Sequence, residues 1–130
     1  MYIPASFDCN DADAIRDLLV DNAFGILVSS DDTGQSIASH LPFVPRFDEQ
    51  GRLFQLGGHL ARANPQACGL SKPGQSLLAI FQGPHAYVSP RHYDADFAVP
   101  TWNYAVVHVI GAVTVHTDAQ ATRTLLDELV

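Results

Sequence analysis

Basic residues are scarce in this chain. Seven Lys and Arg stand against fourteen Asp and Glu in 130 residues, a formal charge of -7 at pH 7, which argues against a broad electrostatic footprint for DNA or anionic lipid. Any phosphate must therefore be held by a local site. Cysteine is nearly absent too: Cys9 and Cys68 lie far apart, in neither a CxxC nor another metal-clamp spacing, and read as two free structural thiols in a reducing compartment. Long hydrophobic runs are missing. The longest, Ala105 to Val115, contains His108 and is too short to span a bilayer, and Met1-Tyr2-Ile3-Pro4 lacks the basic start and apolar stretch of a signal peptide. A cytoplasmic location without membrane contact is the expectation. Repeats, linkers and low-complexity segments are lacking as well, and 47% hydrophobic content over 130 residues describes one globular domain, residues 1–130.

What is present reads as short strands between two helices. Ala14, Ile15, Leu18 and Leu19 recur at helical spacing between Asn10 and Asn22, with Asn10 or Asp11 as N-cap. Phe24 to Ser29 and Ser36 to Leu41 flank the polar, Gly-bearing segment Ser30 to Gln35 and predict a hairpin. Leu53 to Gly57 and Leu77 to Phe81 are further short runs, separated by loops and a short turn of helix. Asn103 to His116 reads as a long half-buried strand. Thr117-Asp118-Ala119-Gln120 matches a capping box ahead of a helical stripe of Thr124, Leu125, Leu126, Leu129 and Val130. The pattern implies a mainly β fold, a largely antiparallel barrel or sandwich with peripheral helices.

Polar and ring-bearing residues gather in four clusters: Ser39 to Pro42, Gly58 to Pro65, Gly83 to Pro90 and Val99 to Tyr104. Each is expected at a strand end, where loops on a rigid scaffold collect binding residues, although turn formation alone explains the same composition. In the second cluster Gly57-Gly58 permits close backbone approach, and Arg62 offers a planar fork suited to phosphate or carboxylate. Arg16 falls in the first helix, Arg46 and Arg52 in a polar loop and Arg123 in the last helix, which leaves Arg62, Lys72 and Arg91 as phosphate candidates. A surface arginine paired with one of the many acids is the plainer alternative. The six histidines invite a metal or haem reading, but no pair has ligand spacing, and capping or hydrogen-bonded roles account for them. The fourth cluster sets an indole, a phenol, an amide and a hydroxyl ahead of the long strand, a set able to stack on a flat ring and bond its edges. Trp102 and Tyr104 plugging a barrel end is the competing reading.

These clusters, with Met1 to Phe7 and Phe81 to Pro90, resemble the PaiB family of FMN-binding regulatory proteins over nearly the whole chain, in five blocks in the right order. The resemblance implies the FMN-binding split barrel shared with pyridoxamine phosphate oxidase-like proteins, and a homodimer with flavin at the subunit interface. By that likeness Ser39, His40 and Leu41 lie along the isoalloxazine with backbone donors, and His59, Arg62 and Asn64 face the ribityl phosphate. Thr101, Trp102 and Asn103 come from the partner subunit, while Tyr87 and Ser89 line the pocket. Arg91 and His92 depart from the family, whose members often carry tryptophan and tyrosine there, with Tyr93 nearby to compensate. Relatives also continue past the last helix, so the resemblance implies that this chain lacks a C-terminal segment they carry.

The family is named for repressing sporulation and protease genes, whereas its barrel relatives include oxidases, reductases and haem-degrading proteins. Three functions follow as alternatives: an FMN-binding transcriptional regulator or flavin-dependent sensor, an FMN-dependent oxidoreductase of a small molecule, and a haem-binding or purely structural barrel dimer. The acidic charge and the lack of a helix-turn-helix pattern argue against direct DNA reading, so a regulator is expected to act as a sensor or through a protein partner. No general base is identifiable, which does not exclude an enzyme, since a flavin carries the redox step itself.

Overall fold

In the computed structural model, which describes residues 1–70, 75–94 and 97–129, helix α1 spans Ala12–Asp21 and starts at Asp11. The Asp11 carboxylate accepts the backbone N–H groups of Asp13 and Ala14 at 2.9 and 3.3 Å, satisfying donors that a helix start leaves orphaned. Strand β1 (Phe24–Ser30) pairs antiparallel with the first half of β2 (Ser36–Phe47), from Phe24 opposite Pro42 to Ser30 opposite Ser36. Asp31 builds the turn between them. One carboxylate oxygen accepts the Thr33 hydroxyl at 2.7 Å, the Thr33 N–H at 2.8 Å and the Gln35 N–H at 2.9 Å, and Gly34 supplies the left-handed residue at φ 84°.

The second half of β2 changes partner. From Phe43 to Phe47 it pairs with β3 (Leu53–Gly58), with an irregularity between Arg46 and Phe47. Sequence reading ended this strand at Leu41 and put Arg46 in a loop, because Pro42 and Pro45 look like breakers. Each half of β2 has a strand on one side only, so a proline nitrogen facing the other side removes no ladder bond. Strand β4 (Ser76–Val88) pairs with both β1 and β5 (Thr101–Ala112), giving the sheet order β3-β2-β1-β4-β5. Here too the strand outruns its expected end at Phe81: a register shift between Gln82 and His85 absorbs Gly83-Pro84, and pairing resumes to Val88. Strand β5 begins at Thr101 and stops at Ala112, leaving Val113 to His116 outside it.

Two further helices, α2 (Pro65–Gly69) and α3 (Ala119–Glu128), complete a mainly β architecture with peripheral helices, as the sequence implied. With β3 and β5 as the two edges of the sheet, the arrangement is consistent with a split barrel. The cap of α3 is Asp118, which accepts the Ala121 N–H at 2.8 Å, not Thr117. Val130 of the expected apolar stripe and Lys72 of the phosphate candidates lie outside the described residues. Cys9 and Cys68 are free, as expected, and both are exposed. Among the described residues no helix is long and apolar enough to cross a membrane.

The core lies between α1 and the sheet and comprises Leu19, Leu27, Leu41, Phe43, Leu77, Ala79 and Phe81. Phe43 and Phe81 meet edge to face with ring centroids 5.2 Å apart, an arrangement the ring quadrupoles favour. Gly25 lets β1 lie against this pair: a Cβ there would sit 2.9 Å from the Phe81 ring and 3.0 Å from the Ile80 carbonyl oxygen. Helix α3 is fastened to β2 and β3. Arg46 reaches Glu128 at 2.7 Å and Gln55 at 2.9 Å, while Leu125 fills the space a side chain at Gly57 would need.

Gly25→Ala is therefore expected to destabilise the fold by about 1–3 kcal/mol, the usual cost of overpacking, seen as a lower urea midpoint at unchanged slope. The hydroxyl and amides around Asp31, the Thr33 hydroxyl first, hold its carboxyl below the ordinary carboxylate range. A pKa depressed by folding adds stability above the unfolded value and loses it as pH falls through the folded one. Asp31→Asn should consequently melt below the wild type at pH 7, with the gap closing once acid has protonated Asp31.

Candidate functional site

Between Ser36 and Leu41, β2 has a strand partner only on its β1 side, since β3 takes over at Phe43. Alternate N–H and C=O groups of this stretch thus face away from β1 with no ladder partner among the described residues. The Phe43 N–H donates to the Ala23 carbonyl on the β1 side at 2.8 Å, so by alternation Ser39 and Leu41 spend their backbone groups on β1 and His40, between them, presents its own outward. Their side chains alternate as a strand requires: Leu41 is a core residue at 4% exposure, Ser39 is half-buried, and His40 is exposed and stacks on Phe24 with centroids 6.2 Å apart.

The segment after β3 is docked on that stretch. Asn64 caps α2 through its side-chain oxygen, which accepts the Gln66 N–H at 2.9 Å, and its amide nitrogen donates to the Ser39 hydroxyl at 3.0 Å. One amide hydrogen of Asn64 and the hydroxyl proton of Ser39 remain for a ligand. Arg62 and His59 are exposed on the same segment. Arg62 makes no hydrogen bond or ion pair with any described residue, whereas Arg16 is paired with Asp13 and Asp17, Arg46 with Glu128 and Arg52 with Asp48. Of the glycines beside it, Gly57 yields space to Leu125, and Gly58 to Leu41 and Phe43. The close approach read from Gly57-Gly58 is therefore made by the chain's own packing.

The remaining candidates lie on β4 and β5, in strands where loops were expected. Tyr87 faces Trp102 across the ladder and His85 faces Tyr104, so all four side chains share one face. The Trp102 centroid is 6.0 Å from Tyr87 and 6.3 Å from His85. Tyr87, Trp102 and Tyr104 are 53%, 61% and 63% exposed, so Trp102 and Tyr104 do not plug a barrel end within one chain. Thr101 and Asn103 point to the opposite face, across from Val88 and Ala86. Thr101 also borders an open hollow of about 330 Å³ lined by Tyr93, Phe97, Ala98 and Val99. Ser89 is occupied as the cap of a 3-10 turn at Pro90–His92, where its hydroxyl accepts the Arg91 N–H at 3.3 Å.

The structure thus brings Ser39, Asn64 and the Arg62 segment together and leaves Tyr87 with Trp102 elsewhere. The register runs Ser39, Leu27, Ala79, Val109 across β2, β1, β4 and β5. Trp102 stands seven residues before Val109 on β5, on the order of 23 Å along a strand, and three strand spacings add about 14 Å across it. Sequence reasoning missed Gln66, whose buried amide has no signature beyond a polar residue after Asn64-Pro65. It also gave no role to His85, which only the strand register places beside Trp102.

An unpaired guanidinium, a spare amide hydrogen, an open strand edge and a set of exposed rings are a donor set that fits a flat cofactor bearing a phosphate. These features belong to a β domain built to bind such a cofactor. The chain belongs to the FMN-binding family described as "Putative FMN-binding domain", which matches residues 1–130, and FMN is its cofactor. It is 39% identical over 116 residues to the protease synthase and sporulation protein PAI 2 of Bacillus subtilis, across 85% of this chain and 51% of that protein. Uncharacterized proteins of Emericella nidulans and Aspergillus fumigatus are each 30% identical, across 96% and 95% of this chain and 61% and 60% of their own lengths. The chain therefore spans between 51% and 61% of the length of these relatives.

Removing the Asn64 side chain takes away both the cap of α2 and the tie to Ser39. Asn64→Ala should cost about 0.5–2 kcal/mol in thermal unfolding, the range for a lost cap, and Asn64→Asp, which keeps the capping oxygen, should lose less.

Proposed function

We propose that this chain is an FMN-binding regulator or flavin-dependent sensor of the cytoplasm that works as a homodimer, with residues 1–130 as one split-barrel domain. The observation that carries the reading is the separation of the two groups of candidate residues. One group has the exposed Arg62 and the open backbone edge, with only the His40 and Phe24 rings beside it, and the other has the larger exposed face of Tyr87, Trp102 and Tyr104, with Arg91 just beyond Ser89. A second copy unites them. In this arrangement Arg62, His59 and Asn64 hold the phosphate, the backbone of Ser39, His40 and Leu41 runs along the isoalloxazine edge, and β5 of the second copy closes over it with Trp102, while Thr101 and Asn103 stand on the other face of that strand. Tyr87 and Ser89 border the pocket. The exposed face of Tyr87, Trp102 and Tyr104 is the kind of apolar surface that subunit contacts cover. FMN, when bound, supplies reversible redox chemistry at its ring system.

The regulatory side of the reading draws on the name of the Bacillus relative, which ties that protein to protease synthesis and sporulation. A charge of -7 favours action through a protein partner over direct contact with DNA. A second reading, an FMN-dependent oxidoreductase, rests on the redox chemistry the flavin itself supplies. A nicotinamide-driven bleaching of the flavin would favour this alternative.

The deciding experiment is an absorption spectrum of purified protein before and after FMN addition and removal of the excess, with a size-exclusion mass. Retained flavin on a dimer supports the proposal, flavin on a monomer overturns the shared site, a Soret band points to haem, and no retained flavin overturns the site altogether. Arg62→Ala should weaken FMN binding by about 1.5–3 kcal/mol, the worth of a charged hydrogen bond, roughly tenfold to a hundredfold in affinity. Wild-type affinity in the folded variant would remove Arg62 from the site.

A further inference from the structure

Gln66 is 1% exposed, as deeply buried as the apolar core. Its amide nitrogen lies 3.1 Å from the Leu27 carbonyl, 3.0 Å from the Ser29 hydroxyl and 3.3 Å from the Ile37 carbonyl. Turning the amide over would aim its oxygen at two carbonyl oxygens, so the donor assignment is fixed by chemistry. The amide oxygen has no partner among the described residues. Packing alone is better served by an apolar side chain of the same length, which leaves no orphaned acceptor in the interior. What the amide adds is direction.

That direction bears on the flavin site. Ile37 pairs with Ser29 and Ser39 pairs with Leu27, so the contacts of Gln66 and the contact of Asn64 with Ser39 grip the same β1–β2 ribbon two residues apart. A single bond at Asn64 holds one point and leaves the short helix free to rotate about it. The second grip removes the rotation. The turn that carries Arg62 is continuous with this unit, because the Asn64 N–H donates to the Ala61 carbonyl at 2.9 Å. From these contacts we infer that Gln66 is a positioning residue for the phosphate end of the flavin site, setting the orientation of the Ala61–Asn64 turn and with it the aim of Arg62. The inference rests on the FMN reading given above and adds a determinant of selectivity for phosphorylated over unphosphorylated flavin.

The test compares FMN with riboflavin, which has the same ring system and lacks the phosphate. Binding of each by wild type, Gln66→Met and Ser29→Ala is followed by quenching of flavin fluorescence, with melting temperatures alongside. Gln66→Met is expected to lower FMN affinity about tenfold and riboflavin affinity less than twofold, so that the preference for FMN collapses. A merely structural residue would weaken both flavins in parallel, and an unchanged ratio overturns the inference. Ser29→Ala removes one of the three contacts, keeps the other two, and decides the matter on the same ratio, with a drop of a few fold, should Gln66→Met not fold. Failure of the wild type to bind either flavin would overturn the FMN reading and this inference together, whereas wild-type binding with an unaltered ratio in the variants overturns this inference alone.

Discussion

Everything in this fold turns on β2 changing its partner. A strand of this length could have paired with one neighbour throughout, yet it pairs with β1 up to Pro42 and with β3 from Phe43. The switch leaves one side of Ser36 to Leu41 open, sets β3 so that the chain leaving it returns across that opening, and places α2 on the same ribbon. Backbone groups without ladder partners must find others. The outward backbone groups of Ser36, Ala38 and His40 have no ladder partner among the described residues, and the candidate site lies along them.

Charge economy sharpens the picture. With seven cations against fourteen anions, Arg62, like Arg91 and Arg123, has no acid partner among the described residues, and Arg62 is the one on the segment beside the open edge. Arg16, Arg46 and Arg52 serve the fold: two sit in local helix or turn pairs, and Arg46 ties the last helix to the sheet. The exposed rings of β4 and β5 stand at the far end of the same sheet.

Much of this was legible in the sequence, for physical reasons that can be named. Helical spacing and Asp11 placed α1, the Asp31 to Gln35 segment placed the first hairpin, and the scarcity of cations singled out Arg62. What misled were the prolines. Pro42, Pro45 and Pro84 read locally as breakers, but one-sided strands and a bulge accommodate them, so that loops were expected where β2 and β4 continue. The side-chain faces followed the same error: Thr101, Trp102 and Asn103 look like one cluster in sequence, and strand alternation sends Trp102 one way and its neighbours the other. The spaces at Gly57 and Gly58 were legible, while their occupants, Leu125, Leu41 and Phe43, depend on packing that no local pattern encodes.

The open side of β2 also bears on solubility. An unpaired strand edge is a template for another strand, and segments of six or seven residues suffice to seed cross-β stacking. Here the exposed edge ends at Pro42, and a second proline, Pro45, follows within the same strand; having no N–H, each denies an incoming strand one of its rungs. The docked Asn64 turn guards the ribbon from another direction. On the proposed reading the cofactor completes this guard, so that a flavin lodged against Ser39 to Leu41 protects the chain from self-association as well as equipping it for redox chemistry.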